Sequence, residues 1–210
     1  SMKKFITNIA IAAGLLLGVS SCEGFLDKVP TDSVVAESAM VTMDDAKVAA
    51  NGLYIDLMYY NMYGTYMVYM GDMRADNLYP LDMGGTGSTV YQLDFSPTQT
   101  NYFGFWQNYY NIIMKANTFI ANINTLETIS TTEEDLKNDL TGQAYAIRSL
   151  CYFDLARLYG YPYLKDNGAS LGAIILTSVV SPSEARLPRN TVAETYAQAE
   201  SDVQTALGLL

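Results

Sequence analysis

Histidine is absent from this 210-residue sequence. Catalytic triads and dyads that use a histidine base are therefore excluded, and so are most zinc sites. Basic residues are also scarce: 12 Lys and Arg stand against 22 Asp and Glu, which gives a formal net charge of −10. A surface with this charge repels phosphate backbones, so nucleic acid is not expected as a partner.

Cysteine is nearly absent too, since Cys22 and Cys151 are the only two. Two cysteines cannot form a disulfide framework. Cys151 lies within an apolar helical pattern, so we expect a buried and inert thiol there. The sequence predicts no catalytic residue, no metal site and no cofactor.

The N-terminal residues have the pattern of an export signal. Two lysines precede an apolar stretch at residues 5–19, which is shorter than the roughly 20 residues that a spanning helix needs. Two serines and then Cys22 follow, as in a lipoprotein cleavage site, where small residues precede the cut and the thiol carries the lipid. A secretory signal followed by a chance cysteine is the alternative. Ser1, ahead of the initiator methionine, is interpreted as the scar of an expression tag.

Three segments are therefore predicted: a signal peptide at residues 1–21, a lipidated linker at residues 22–40 and a helical domain at residues 41–210. Removal of the signal peptide takes away two lysines and no acidic residue, so the net charge changes from −10 to −12. Such a surface has little attraction for anionic lipid headgroups. Attachment to a membrane is therefore expected to depend on the lipid on Cys22.

Apolar residues recur three or four positions apart in four segments, which predicts four amphipathic helices. Their ranges are 44–61, 105–126, 133–159 and 191–210. Capping patterns precede three of them: Thr42 with Asp45, Thr131 with Glu134, and Thr191 with Glu194. This pattern favours a mostly α fold built from helix pairs in the manner of a helical repeat.

Two stretches lack the helical period. Residues 63–103 contain a polar, glycine-rich tract at 84–89, and we expect a long irregular loop that is either functional or disordered. Residues 170–189 are also expected to be irregular, with a short strand at 172–180.

The first of these stretches carries the candidate ligand-binding residues. Sugars present flat apolar C–H faces beside hydroxyl groups, so a binding site combines aromatic rings with carboxylates or amides. Tyr91 and Tyr102 flank the polar tract, and Phe103, Asp94 and Asn101 add a ring and two polar groups. Packing of each ring in the core is the alternative.

A second aromatic feature is the run of six tyrosines between residues 54 and 69. They are too dense to bury on one helical face, so some are expected at a surface or contact. A half-exposed scatter of tyrosines without a binding role is the alternative.

Charged residues elsewhere suit structural roles better than chemistry. Asp72 and Asp76 lack the spacing of a calcium loop, so pairing or capping is expected. Arg148, Asp154 and Arg157 are expected to form internal ion pairs.

A series of motifs resembles the SusD/RagB family of lipoproteins, in the family's order. They are Cys22 to Pro30 (CEGFLDKVP), Gly52 to Tyr54 (GLY), Asp72 to Asn77 (DMRADN), Trp106 with Tyr109, Ile113, Asn117 and Ile120, Gly142 to Pro162, and Arg189 to Leu207. The most specific is the block that begins GQAYAIR at Gly142.

The resemblance implies an outer-membrane lipoprotein of Bacteroidota with tetratricopeptide-like helix pairs. Such a protein captures a glycan and delivers it to a SusC-like TonB-dependent transporter, and it is not an enzyme. Family members are usually more than twice this length, so the resemblance implies the N-terminal part of a SusD-like fold. The family's sugar-contacting residues lie in variable loops and do not transfer by position.

Two alternatives to this function stay open. One is a helical-repeat scaffold that contacts only protein and has no sugar site of its own. The other is a surface glycoside hydrolase, which needs two carboxylates that the spacing does not single out.

Overall fold

The computed structural model describes residues 40–81, 86–93, 104–181, 183–184 and 186–210. These residues include six α-helices: α1 Met43–Leu57, α2 Tyr66–Arg74, α3 Thr86–Tyr91, α4 Phe105–Ile123, α5 Thr131–Tyr159 and α6 Val192–Leu209. A 3₁₀ turn at Tyr163–Lys165 follows α5. The predicted mostly α class is confirmed. None of the described helices combines the length and the apolar character needed to cross a bilayer.

The caps of α1 and α6 form as predicted. The Thr42 hydroxyl accepts from the Asp45 N–H at 3.1 Å, and the Asp45 carboxylate accepts from the Thr42 N–H at 2.8 Å. Thr191 and Glu194 repeat the arrangement at 3.1 and 2.7 Å. Each capping box satisfies two backbone donors that the first helical turn leaves without partners.

The predicted cap of α5 is wrong by one residue. Ser130, not Thr131, is the N-cap, and its hydroxyl accepts from the Glu133 N–H at 3.2 Å. Glu134, the predicted partner of Thr131, instead accepts from the Thr128 hydroxyl at 2.6 Å. Ser130 with Glu133 has the same spacing as the predicted pair, so the local pattern alone could not choose between them.

Helices α4, α5 and α6 pack as successive antiparallel neighbours. Between α4 and α5, Tyr109 contacts Asp154 and Asn117 contacts Arg148. The later residue of α4 thus contacts the earlier residue of α5, so the two helices run in opposite directions. Between α5 and α6, Arg148 contacts Asp202, and a Cβ at Gly142 would lie 3.0 Å from Leu210. The helices approach closely at Gly142 because it has no side chain. This is the helix-pair architecture that the period of the sequence predicts.

The core lies along these three helices and α1. Its fully buried side chains include Leu155, Cys151, Ile113, Ile123 and Tyr152. Cys151 is buried, as predicted, and burial raises the pKa of its thiol.

Residues 63–103 are more regular than predicted, because α2 and α3 lie within them. Met67 of α2 is buried, and Met70 and Met73 pack against the core. Flexible methionines fill irregular space well, so this stretch packs as a helix although it lacks a clear apolar period. α1 ends four residues earlier than predicted, since the chain folds back at Gly64, where a Cβ would strike the Met58 carbonyl oxygen.

The strand predicted at 172–180 is also wrong. Among the described residues, β pairing is reduced to one antiparallel bridge between Leu171 and Thr191. The segment is extended, but side chains satisfy its backbone. Tyr110 bonds both backbone groups of Ile174, and Tyr152 bonds both of Leu176.

Candidate functional site

Tyr91 is the one predicted ligand-binding residue that the structure describes. Asp94, Asn101, Tyr102 and Phe103 lie outside the described residues, so their predicted role remains a prediction. The same holds for Cys22 and for the signal-peptide and linker segments that contain or precede it.

Tyr91 is the last residue of α3 and is half-buried. Hydrogen bonding to the nearby carboxylate of Asp76, together with its negative charge, raises the pKa of Tyr91. Asp76 follows α2 and has a φ of 62°, in the left-handed region. Aspartate enters this region more readily than most residues, but at some conformational cost.

The residues after Asp76 extend this surface. A Cβ on Gly87 of α3 would lie 3.6 Å from Pro80, so the segment before Pro80 runs close to α3. Next to Pro80, the side chain of Tyr79 is 69% exposed. We call Asp76, Asn77, Tyr79 and Tyr91 the Tyr91 surface.

The Tyr91 surface contains the types of side chain that bind sugars in proteins. Two tyrosines supply apolar ring faces, and a carboxylate and an amide supply hydrogen bonds. Sequence reasoning assigned Asp76 a structural role and did not place it in the site. The signal was present, because Asp-Asn after a helix marks a turn that tolerates positive φ.

The structure confirms that the tyrosine run at 54–69 is too dense to bury. Tyr54, Tyr59, Tyr60 and Tyr69 are exposed, whereas Tyr63 and Tyr66 are half-buried. Several of these hydroxyls bind within the fold: Tyr54 donates to Gln143 at 2.9 Å, Tyr60 donates to Tyr66 at 2.8 Å, and Tyr63 donates to Asp154.

The single tryptophan is also used internally. The Trp106 ring meets Tyr159 edge to face at a centroid distance of 5.0 Å, and the Arg189 guanidinium lies 5.5 Å from the ring centre. Trp106 therefore stabilises the junction between α4 and the end of α5 and does not present an open platform.

The buried carboxylates are partnered by structural groups. Asp154 accepts from the hydroxyls of Tyr63 and Tyr109 and from Arg157 Nε, the last at 2.7 Å. Asp202 accepts from Arg148 Nε at 2.7 Å and from Nη2 at 2.6 Å. The predicted internal pairing is confirmed, although the partner of Arg148 lies on α6. Carboxylates whose oxygens already accept hydrogen bonds from structural side chains are poorly placed to act as a general acid or a nucleophile.

The chain resembles proteins of known family. A family model described as "SusD-like: starch-binding associating with outer membrane" matches residues 24–210. A SusD-like protein of Formosa agariphila is 31% identical over 163 residues, which cover 76% of this chain and 30% of that protein. A SusD superfamily protein from Bacteroides vulgatus superposes with a TM-score of 0.73 at 32% identity, and one from Bacteroides thetaiotaomicron with 0.69 at 33%.

The two superpositions each cover 81% of this chain and 38% of the other. The chain thus spans about a third of the length of the relatives it matches. Since the family match extends over nearly the whole of it, the chain belongs to the SusD-like family.

Proposed function

We propose that this chain is part of a surface-exposed, lipid-anchored protein that captures polysaccharide or oligosaccharide. The protein delivers the glycan to a SusC-like TonB-dependent transporter in the outer membrane. The observation that carries the proposal is the family match over residues 24–210, whose description joins starch binding to the outer membrane. The lipid anchor is assigned to Cys22.

The Tyr91 surface supports the sugar-binding part of this proposal. Tyr79 offers an exposed ring, and Asp76, which is also exposed, offers a carboxylate to sugar hydroxyls. Hydrogen bonds to a carboxylate acceptor are stronger than those between neutral groups. The predicted ligand-binding role of Asp94, Asn101, Tyr102 and Phe103 is part of this proposal.

The test is retention of the purified chain in native gels that contain soluble starch or laminarin. Tyr91→Ala and Asp76→Gly are the informative variants. Glycine adopts positive φ without strain, so Asp76→Gly removes the carboxylate and keeps the turn. We expect wild-type retention by at least one glycan and about tenfold weaker binding in each variant, in line with the loss of a ring contact or a charged hydrogen bond.

Tyr161→Ala is the matched control, since this tyrosine is 58% exposed and lies after α5, outside the Tyr91 surface. Its retention should equal that of the wild type. Unchanged retention in both Tyr91-surface variants would contradict the assigned site, whereas no retention of the folded wild type by any glycan would contradict the function.

A scaffold that contacts only protein is the second candidate, and one observation favours it. Helices α5 and α6 present an open apolar groove with Phe153, Tyr196 and Val203 in its lining. Co-elution of the chain with a purified SusC-like transporter, without retention by any glycan, would favour the scaffold. Release of reducing ends in the same glycan assays would instead identify a hydrolase.

A further inference from the structure

A second groove lies between the C-terminal end of α1 and the first half of α4. It has a volume of about 440 Å³, within the range of small-ligand sites. Its polar lining consists of Asp56, Tyr59, Asn108, Asn111 and Lys115. None of these belongs to the Tyr91 surface.

The lining combines an open ring with hydrogen-bonding groups. Tyr59 is 61% exposed and lies in the turn that follows α1. Asp56 accepts from Lys115 Nζ at 2.6 Å, and Asn111 is exposed beside them. The Asp56–Lys115 pair is locally neutral, so the groove has both donors and acceptors without a net charge.

Asn108 supplies an independent sign of a ligand. Its side-chain Nδ2 is buried and has no hydrogen-bond partner among the described residues. Buried polar atoms in folded proteins are nearly always paired, because an unpaired one loses its hydration without compensation. A leucine would fill this helical position without that penalty, so packing does not account for the amide. Because Asn108 lines the groove, a hydroxyl oxygen bound there would be a candidate acceptor for this amide.

We propose that this groove is a second sugar subsite, which holds one unit of a neutral glycan chain. Tyr59 provides the platform for the C–H face, and Asn108, Asn111 and Asp56 bond the hydroxyls. The inference rests on the proposed function. A neutral ligand is favoured because Asp56 already pairs the one cation of the groove and the chain carries a net charge of −10. A protein anchor would call for a larger apolar pocket.

The decisive variant is Asn108→Leu. If the amide serves a ligand, its replacement should raise the thermal midpoint by about 2–4 °C and weaken the binding of maltohexaose or laminarihexaose about fivefold. A purely structural asparagine would not produce a gain in stability together with a loss of binding. Tyr59→Ala should weaken oligosaccharide binding without a change in the midpoint, and Tyr161→Ala should change neither.

Side-chain amide signals in ¹H–¹⁵N spectra give a second readout. Titration with maltohexaose or laminarihexaose should shift the Asn108 and Asn111 amide pairs, and Tyr59→Ala should abolish those shifts. If the two groove variants bind like the wild type while Tyr91→Ala loses binding, the second subsite is overturned and the proposed function stands. A lower midpoint in Asn108→Leu with unchanged binding would also overturn it. Failure of the folded wild type to bind either oligosaccharide or any polysaccharide would overturn both proposals.

Discussion

Arg148 shows how much of this fold depends on a single side chain. It is 4% exposed, and its guanidinium bonds Asp202 on α6, Asn117 on α4 and the Thr177 carbonyl of the extended segment. Arginine suits this position because its planar fork offers five donors in fixed directions. One residue of α5 thereby sets the positions of three other elements.

We expect Arg148→Met to lower the free energy of unfolding by about 3–5 kcal/mol, because Asp202 would stay buried without its counter-charge. Among the described residues, the neutral amide of Gln198, at 3.0 Å, would then be the one side-chain donor left to that carboxylate. Urea unfolding followed by circular dichroism measures the change. The double variant Arg148→Met/Asp202→Leu should recover a large part of the loss, and a double variant as unstable as the single one would contradict this account.

At the scale of elements, residues 174–176 behave as a strand whose hydrogen-bond partners are side chains. The Tyr110 hydroxyl accepts from the Ile174 N–H at 2.6 Å and donates to its carbonyl at 2.9 Å. The Tyr152 hydroxyl does the same for Leu176, at 2.7 Å in both directions. Bonding at alternate residues reproduces the pattern of a sheet edge. The segment is thus fastened to α4 and α5 without a neighbouring strand.

Tyr152→Phe should cost about 1–3 kcal/mol, because it leaves the buried Leu176 N–H without a partner. Hydrogen exchange followed by NMR should show faster exchange at Leu176. The Ala173 amide, which donates to Thr195 at 2.9 Å, serves as the internal reference and should be nearly unaffected. Equal acceleration at both amides would indicate global rather than local opening. Tyr161→Phe, on an exposed ring, should leave both rates unchanged.

At the scale of the whole molecule, several tyrosine hydroxyls are enclosed by the fold. Burial, with the nearby charge of Asp154, raises the pKa of Tyr63 and of Tyr109. Burial likewise raises the pKa of Tyr152, and it raises that of Tyr110 to about 12. These phenols keep their protons in the folded state at a pH where the unfolded chain would release them.

Stability should therefore fall at alkaline pH. A raised folded-state pKa stabilises the fold fully below the unfolded value of about 10, and this contribution is lost as pH rises toward the folded values. Tyrosinate absorbance should show exposed tyrosines titrating near pH 10 and the enclosed ones only as helical signal is lost. Tyr110→Phe should reduce the dependence of stability on pH in this range. Titration of all tyrosines in one step, with the helices intact, would contradict the prediction.

The sequence by itself determined the fold class, three of the four predicted helices to within about two or three residues at each end, two capping boxes and the family. These features depend on residues that lie close together in the sequence, such as the Thr42–Asp45 cap and the apolar period of α4. The spacing of residues along the chain therefore predicts them. The family motifs are likewise read directly from residue order. The sequence also predicted that the tyrosines between residues 54 and 69 are too numerous to be buried together.

Tertiary structure decided the rest. The Arg148–Asp202 pair joins residues 54 positions apart, and the bonds from Tyr152 to Leu176 span 24. No local pattern predicts such partners, because they depend on how helices pack. For the same reason, the sequence did not reveal that Asp76 lies near Tyr91. Likewise, Asn108, Asn111 and Lys115 form a candidate site only because α1 and the turn after it place Asp56 and Tyr59 beside them.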